Sequence, residues 1–201
     1  MKKNAAFTLI ELLVVIAIIA ILATLAIPNI LGALETAKAN SDVANLSSLG
    51  KGVQRFLIDN EDDSFKSGQN TTWPLAVNHY LNDWRVFKCP FDKRATPNTA
   101  PYPVSYGANK NIFDTNAGQW TAPSQLIILA DQRVAEKGAN QYQGFSTQNP
   151  ITQPGQGMGV YKNGKMINCL FGDYHAVATN VTDYRDTQSE KGRERWLPIK
   201  E

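Results

Sequence analysis

The chain has 201 residues, 43% of them hydrophobic, and a formal net charge of +2, which leaves room for one domain of ordinary size plus an appendage. Of its 20 basic residues, Lys2 and Lys3 precede the first apolar run, and the remaining 18 are matched by 18 acidic side chains; a body so balanced gives no electrostatic case for nucleic acid. Only two histidines are present, His79 and His175, with no nucleophile elbow, phosphate loop or zinc-ligand spacing around them, so an enzyme is not indicated.

The first element is "AAFTLIELLVVIAIIAILATLAIP", Ala5 to Pro28. Leu12 to Ile27 carry no charge, and Leu9 to Ile27 as a helix would reach roughly 28 Å, close to the hydrocarbon thickness of a bilayer. Lys2 and Lys3 favour a cytoplasmic amino terminus, with everything after Pro28 on the far side of the membrane. A secretory signal peptide would have a shorter apolar region ending at a small-x-small site. Glu11 is the anomaly, because a carboxylate at the edge of a membrane span is expensive unless it meets a cation.

"FTLIELLVVIAIIAILA", Phe7 to Ala23, resembles the N-terminal signature of type IV pilins and of the pseudopilins of type II secretion. The resemblance implies a leader at 1–6, cleavage between Ala6 and Phe7 by a membrane prepilin peptidase, and N-methylation of Phe7. It also implies that Glu11 pairs with the N-terminal amine of a neighbouring subunit during assembly. Ala6 stands where the family usually has Gly. The implied partners are other pilin or pseudopilin subunits, the prepilin peptidase and an inner-membrane assembly platform. The implied location is a single pass through the bacterial inner membrane with the body in the periplasm, or the extracellular part of an assembled pilus.

Residues 7–31 form the transmembrane and assembly helix, 32–60 its amphipathic continuation, and 61–201 the body. Leu46, Leu49, Val53 and Phe56 recur three and four residues apart and predict one buried face, with Lys38, Asp42, Lys51 and Arg55 towards solvent. A helix from Thr8 to Asp59 would be about 75 to 80 Å long. Pro28 predicts a kink, with two separate helices as the alternative, and Gly32 is a second weak point. "DNEDDSFKSGQN", Asp59 to Asn70, ends the helix as a polar loop in which Asp59, Glu61, Asp62 and Asp63 are candidate calcium ligands. "TTWPLAVNHYLND" predicts a short helix with Pro74 in its first turn, Leu75, Val77 and Leu81 packed beneath it, and His79 at the surface.

Strand chemistry follows. "LIILAD", Leu126 to Asp131, reads as a short buried strand. "MGVYKNGKMINCLF", Met158 to Phe171, places Asn163-Gly164 between two strand-like runs, a hairpin signal. "HAVATNV", His175 to Val181, is a third strand after a tight Gly172-Asp173-Tyr174 turn. The expected fold is α+β, a long N-terminal helix packed on a small antiparallel sheet, in the type IV pilin-like manner. Cys89 and Cys169 are a candidate disulfide in an exported body, with two free buried thiols as the alternative.

"VFKCPFDK", "SYGAN", "PSQLIILAD" and "NCLFGDYHAV" occur in the order seen in pilin-like proteins described as processing-associated, with an H-x9-DG motif. That subgroup usually reads Phe-x-Asp-Gly-His-Val near its end. Phe171, Asp173, His175 and Val177 match, whereas Tyr174 occupies the Gly place, Ala176 is extra, and Asn163 stands where the first His is expected. A positive φ would be costly at Tyr174, so Gly172 is expected to take that conformation, and His175 is expected to serve the turn. The function implied is a structural subunit of a type II secretion-like filament. The other readings are a type IV pilus subunit, major or minor, and a membrane-anchored binding protein that does not polymerise.

Overall fold

The computed structural model describes residues 8–60, 64–66, 73–92, 104–131, 161, 165–186 and 189–199. It divides into two compact units, Met1–Ala37 and Lys38–Glu201. Helix α1, Leu9–Asp59, contributes to both.

In the first unit α1 is helical from Leu9 without interruption, and Pro28 lies inside it, so the alternative of two separate helices is not what forms. Pro28 has no N–H to give to the Thr24 carbonyl. The polar side chains nearby fold back onto their own helix: Thr24 Oγ1 donates to Ala20 O at 2.8 Å, Asn29 Nδ2 to Leu25 O at 3.3 Å and Thr36 Oγ1 to Gly32 O at 3.0 Å. Self-satisfied polar groups of this kind are what hydrocarbon requires. Every Leu, Ile and Val from Leu9 to Leu34 is exposed, and the helix is long and apolar enough to cross a membrane.

In the second unit α1 buries one stripe, on which Leu46, Leu49, Val53 and Phe56 all lie as their spacing predicts. Lys38, Lys51 and Arg55 are exposed. Asp42 is not: it is 0% exposed. The expectation of a solvent-facing Asp42 fails because it stands four residues before Leu46, on the stripe itself. Helix α2, Trp73–Leu81, has Pro74 in its first turn and buries Trp73 and Val77. Leu75 is 54% exposed rather than packed beneath, since two residues from Trp73 and from Val77 it falls on another face.

The sheet is a four-stranded antiparallel meander in chain order, β1 Tyr106–Ala108, β2 Ile127–Asp131, β3 Met166–Phe171 and β4 Ala176–Asn180. Asn163 and Gly164 lie outside the described residues, but Tyr161 and Met166 exchange both backbone hydrogen bonds (3.0 and 3.2 Å) across them. Two cores flank the sheet. One gathers α1, α2, β1 and Leu126, Ile128, Leu129 and Leu170; the other gathers Ile127, Ala130, Ile167, Cys169 and Phe171 with Val181, Tyr184 and Trp196 from the carboxy-terminal helices α3, Val181–Arg185, and α4, Glu190–Trp196.

Strand β2 contains a bulge. Ile127 pairs with Phe171 and Leu129 with Leu170, so Ile128 is an extra residue. Inward parity therefore changes along the strand, from Leu126 and Ile128 before the bulge to Leu129 after it, and Asp131 follows Leu129 towards α1.

The β3–β4 connection is the three-residue loop Gly172-Asp173-Tyr174, closed by Tyr174 N–H to Phe171 O (2.8 Å) and Phe171 N–H to His175 O (2.9 Å). This pattern places a left-handed residue last, and Tyr174 holds φ 69°. The expectation that Gly172 would take this conformation is overturned. Gly172 is required for another reason: a Cβ there would lie 2.9 Å from the Trp120 ring and 3.1 Å from Pro123 O. Tyr174, partly buried against the first core, offsets a backbone cost of about 1–2 kcal/mol.

Candidate functional site

The amino-terminal site is built from Thr8 and Glu11. Thr8 N–H and Thr8 Oγ1 both donate to Glu11 Oε2, at 2.9 and 2.7 Å, while Glu11 N–H donates to Thr8 Oγ1 at 3.3 Å. This is a reciprocal capping box, in which the fourth residue's carboxylate satisfies donors that open a helix. The sequence carries the signal as Thr-x-x-Glu, which the charge-based reading of Glu11 passed over. The carboxylate is also favoured at the positive end of the helix. Ala6 and Phe7 lie outside the described residues, as do Glu61, Asp62 and Asp63; of the calcium candidates Asp59 is described, exposed at the end of α1.

A second constellation lies inside the body. Asp42 on α1 receives the Tyr106 hydroxyl on Oδ1 and the Asn168 amide on Oδ2, each at 2.6 Å. Asn168 also donates to Ala39 O at 3.3 Å, and its Oδ1 accepts from the Tyr161 hydroxyl at 3.0 Å. Asn45 Nδ2 donates to Lys88 O at 3.1 Å, which ties the segment carrying Cys89 to α1. Asp131, paired across the sheet with Tyr106, is 1% exposed. Neither of its oxygens meets a donor at hydrogen-bonding geometry. The ligand atoms of Asp42, Cys89 and Asp131 all lie within 4.8 Å of one another.

Burial, and then the charge of Asp42, hold the Asp131 carboxyl well above the usual carboxylate range. Burial pushes the Cys89 thiol up as well, reinforced by Asp131 and then Asp42. The Tyr106 phenol is raised chiefly by burial, with Asp42 adding to it. A buried carboxyl beside another acid responds by retaining its proton.

The Cys89–Cys169 bond is not formed. Both thiols are free and buried, Cys89 in the core on the α1 side and Cys169 in the core with α3 and α4. Successive residues of a strand point to opposite faces, so Asn168 reaches Asp42 while Cys169 faces away. His79 is exposed and edge-on to Tyr80. His175 is exposed too, its Nδ1 in contact with Asp173 Oδ1 and its ring stacked on Phe171 at 4.5 Å, which places it in the turn.

The four body segments that carry the second resemblance converge. Cys89 comes from "VFKCPFDK", Tyr106 from "SYGAN", Asp131 from "PSQLIILAD" and Asn168 from "NCLFGDYHAV". In "SYGAN", Asn109 is also fully buried and donates to Ile127 O at 2.9 Å and Trp196 O at 3.0 Å, joining the sheet to α4. Residues 1–27 match the family model of the prokaryotic N-terminal methylation motif. No curated protein and no solved structure matches the chain.

Proposed function

From this type IV pilin-like amino terminus, we propose that the protein is a structural, non-catalytic subunit of a type II secretion-like filament. It is cut between Ala6 and Phe7 by a prepilin peptidase, methylated on Phe7, and assembled through its amino-terminal helix on an inner-membrane platform, with the body in the periplasm. The observation that carries the reading is the conjunction of the methylation motif with a helix whose every Leu, Ile and Val from Leu9 to Leu34 is exposed. Such a surface needs lipid or neighbouring helices. The capping box adds a detail to assembly: both Thr8 contacts use Glu11 Oε2, so Oε1 is the oxygen for an incoming amine. A type IV pilus subunit would use the same mechanics.

The test is N-terminal mass spectrometry of sheared filaments and of membranes, from cells carrying the natural chain or Glu11→Ala. The natural chain should begin at methylated Phe7 in both fractions. Glu11→Ala should be processed and membrane-inserted but deficient in filaments, whereas Thr8→Ala, which keeps the carboxylate, should assemble. A chain beginning at Met1, or near Pro28, would overturn the processing. Natural filament yield from Glu11→Ala would overturn the assembly role.

A further inference from the structure

We propose that Asp42, Asp131 and Cys89 form a structural site for a divalent thiophilic cation, of which zinc is the representative, buried between α1 and the sheet. This goes beyond the filament reading and is independent of how the amino terminus assembles.

Three observations converge on it. The donor atoms belong to three distant stretches of chain, yet lie within 4.8 Å of one another, a spread that contraction around one ion at about 2.0–2.3 Å can accommodate. Asp131 is 1% exposed and neither oxygen meets a donor at hydrogen-bonding geometry, although the Cys89 thiol and the Asn168 backbone lie close enough to act on it, whereas Asp42 beside it has a well-formed donor on each oxygen. An interior that satisfies one carboxylate and leaves its neighbour without a well-formed hydrogen bond is incomplete as a purely hydrogen-bonded arrangement. Finally, the bulge at Ile128 re-aims Asp131 into the pocket, and bulges serve to redirect side chains at functional positions.

The donor set selects the ion. A thiolate disfavours calcium and magnesium, which take oxygen ligands, and suits zinc. Cys89 Sγ, one Asp42 oxygen and both Asp131 oxygens would supply four donors. Binding forms the metal–sulfur and metal–oxygen bonds and releases the Cys89 proton, with any proton on Asp131, to solvent; no electron moves. The +2 ion against two carboxylates and a thiolate leaves one negative charge. The Tyr106 hydroxyl and the Asn168 amide already donate to Asp42 and so orient a ligating carboxylate from outside. The ion would tie α1, the Cys89 segment and β2 together, cross-linking that the two free cysteines do not provide.

The experiment uses the full chain in detergent, stripped with a chelator and exchanged into metal-free buffer. Metal content is measured by mass spectrometry after incubation with zinc sulfate and desalting, and the absorption spectrum is recorded after cobalt(II) is added instead. About one equivalent of zinc should be retained, and cobalt should give a sulfur-to-metal charge-transfer band. Cys89→Ser should lose that band and bind zinc roughly 100-fold or more weakly; Tyr106→Phe should keep the band and weaken binding about 10- to 100-fold. The unsubstituted protein alone is decisive if a variant fails to fold: a folded natural chain that retains no zinc, or that binds cobalt without the sulfur band, overturns the site.

Discussion

One helix serves two different surroundings. From Leu9 to Leu34 it is predominantly apolar, with Glu11 its one charged side chain, and exposes every Leu, Ile and Val; from Lys38 to Asp59 it exposes charge and buries a stripe. Backbone hydrogen bonding is common to both stretches, so secondary structure does not distinguish them. Distribution of apolar side chains does. The all-round pattern specifies a lipid or protein environment supplied from outside, and the periodic pattern specifies a partner within the chain.

The most severe way to break this comparison is to cut it. A chain beginning after Gly32 should be soluble and mostly monomeric by light scattering, because its remaining stripe is covered by its own body. Stable filaments of that fragment at micromolar concentration would move the polymerising interface into the body. The next largest effect is a matched pair of truncated side chains. Leu46→Ala, at a fully buried position, should cost about 2–5 kcal/mol in denaturant unfolding of the body. Leu22→Ala, in the exposed run, should leave that transition unchanged. Equal losses would show that the two stretches fold as one unit.

Glycine gives the finest comparison, since the same substitution should act with opposite signs. A Cβ at Gly50 would sit 2.9 Å from Leu170 Cδ1 and 3.2 Å from the Tyr174 carbonyl oxygen, while one at Gly32 would meet nothing within 4 Å. Gly50→Ala should therefore destabilise the body by about 1–3 kcal/mol in chemical denaturation. Gly32→Ala should stabilise its helix by about 0.5–1 kcal/mol, seen as increased helicity in detergent by circular dichroism. Stabilisation by Gly50→Ala would mean that α1 does not approach the β3–β4 turn so closely.

How far the molecule was legible followed from the range of the forces involved. Helix α1, α2 and strands β2 to β4 could be read because local periodicity and turn residues announce them. Strand β1 and helices α3 and α4 were not anticipated: Tyr106–Ala108 is too short to show a period, and the last two helices owe their place to Tyr184 and Trp196 packing beneath the sheet. The buried cluster was missed for a related reason. Asp42 is an acidic residue type, which argued for solvent until Tyr106 and Asn168, both remote in sequence, supplied its donors. Thr8-x-x-Glu11, by contrast, is wholly local and was available to inspection. The disulfide expectation failed on strand parity, which spacing between two cysteines does not contain.

Ile128 has a consequence for how this strand can be compared or edited. An extra residue shifts the phase of an alternating code: before it, even-numbered positions face α1; after it, odd-numbered ones do. A gapless alignment with a regular strand would therefore exchange interior and opposite-face residues over half its length. Deleting Ile128 should shorten β2 without turning it over, since Ile127 and Leu129 already pair with the consecutive Phe171 and Leu170 and regular alternation then keeps Leu129 and Asp131 facing α1. Replacing the bulge by a regular strand of the same length is what would carry the carboxylate out of one core and into the other.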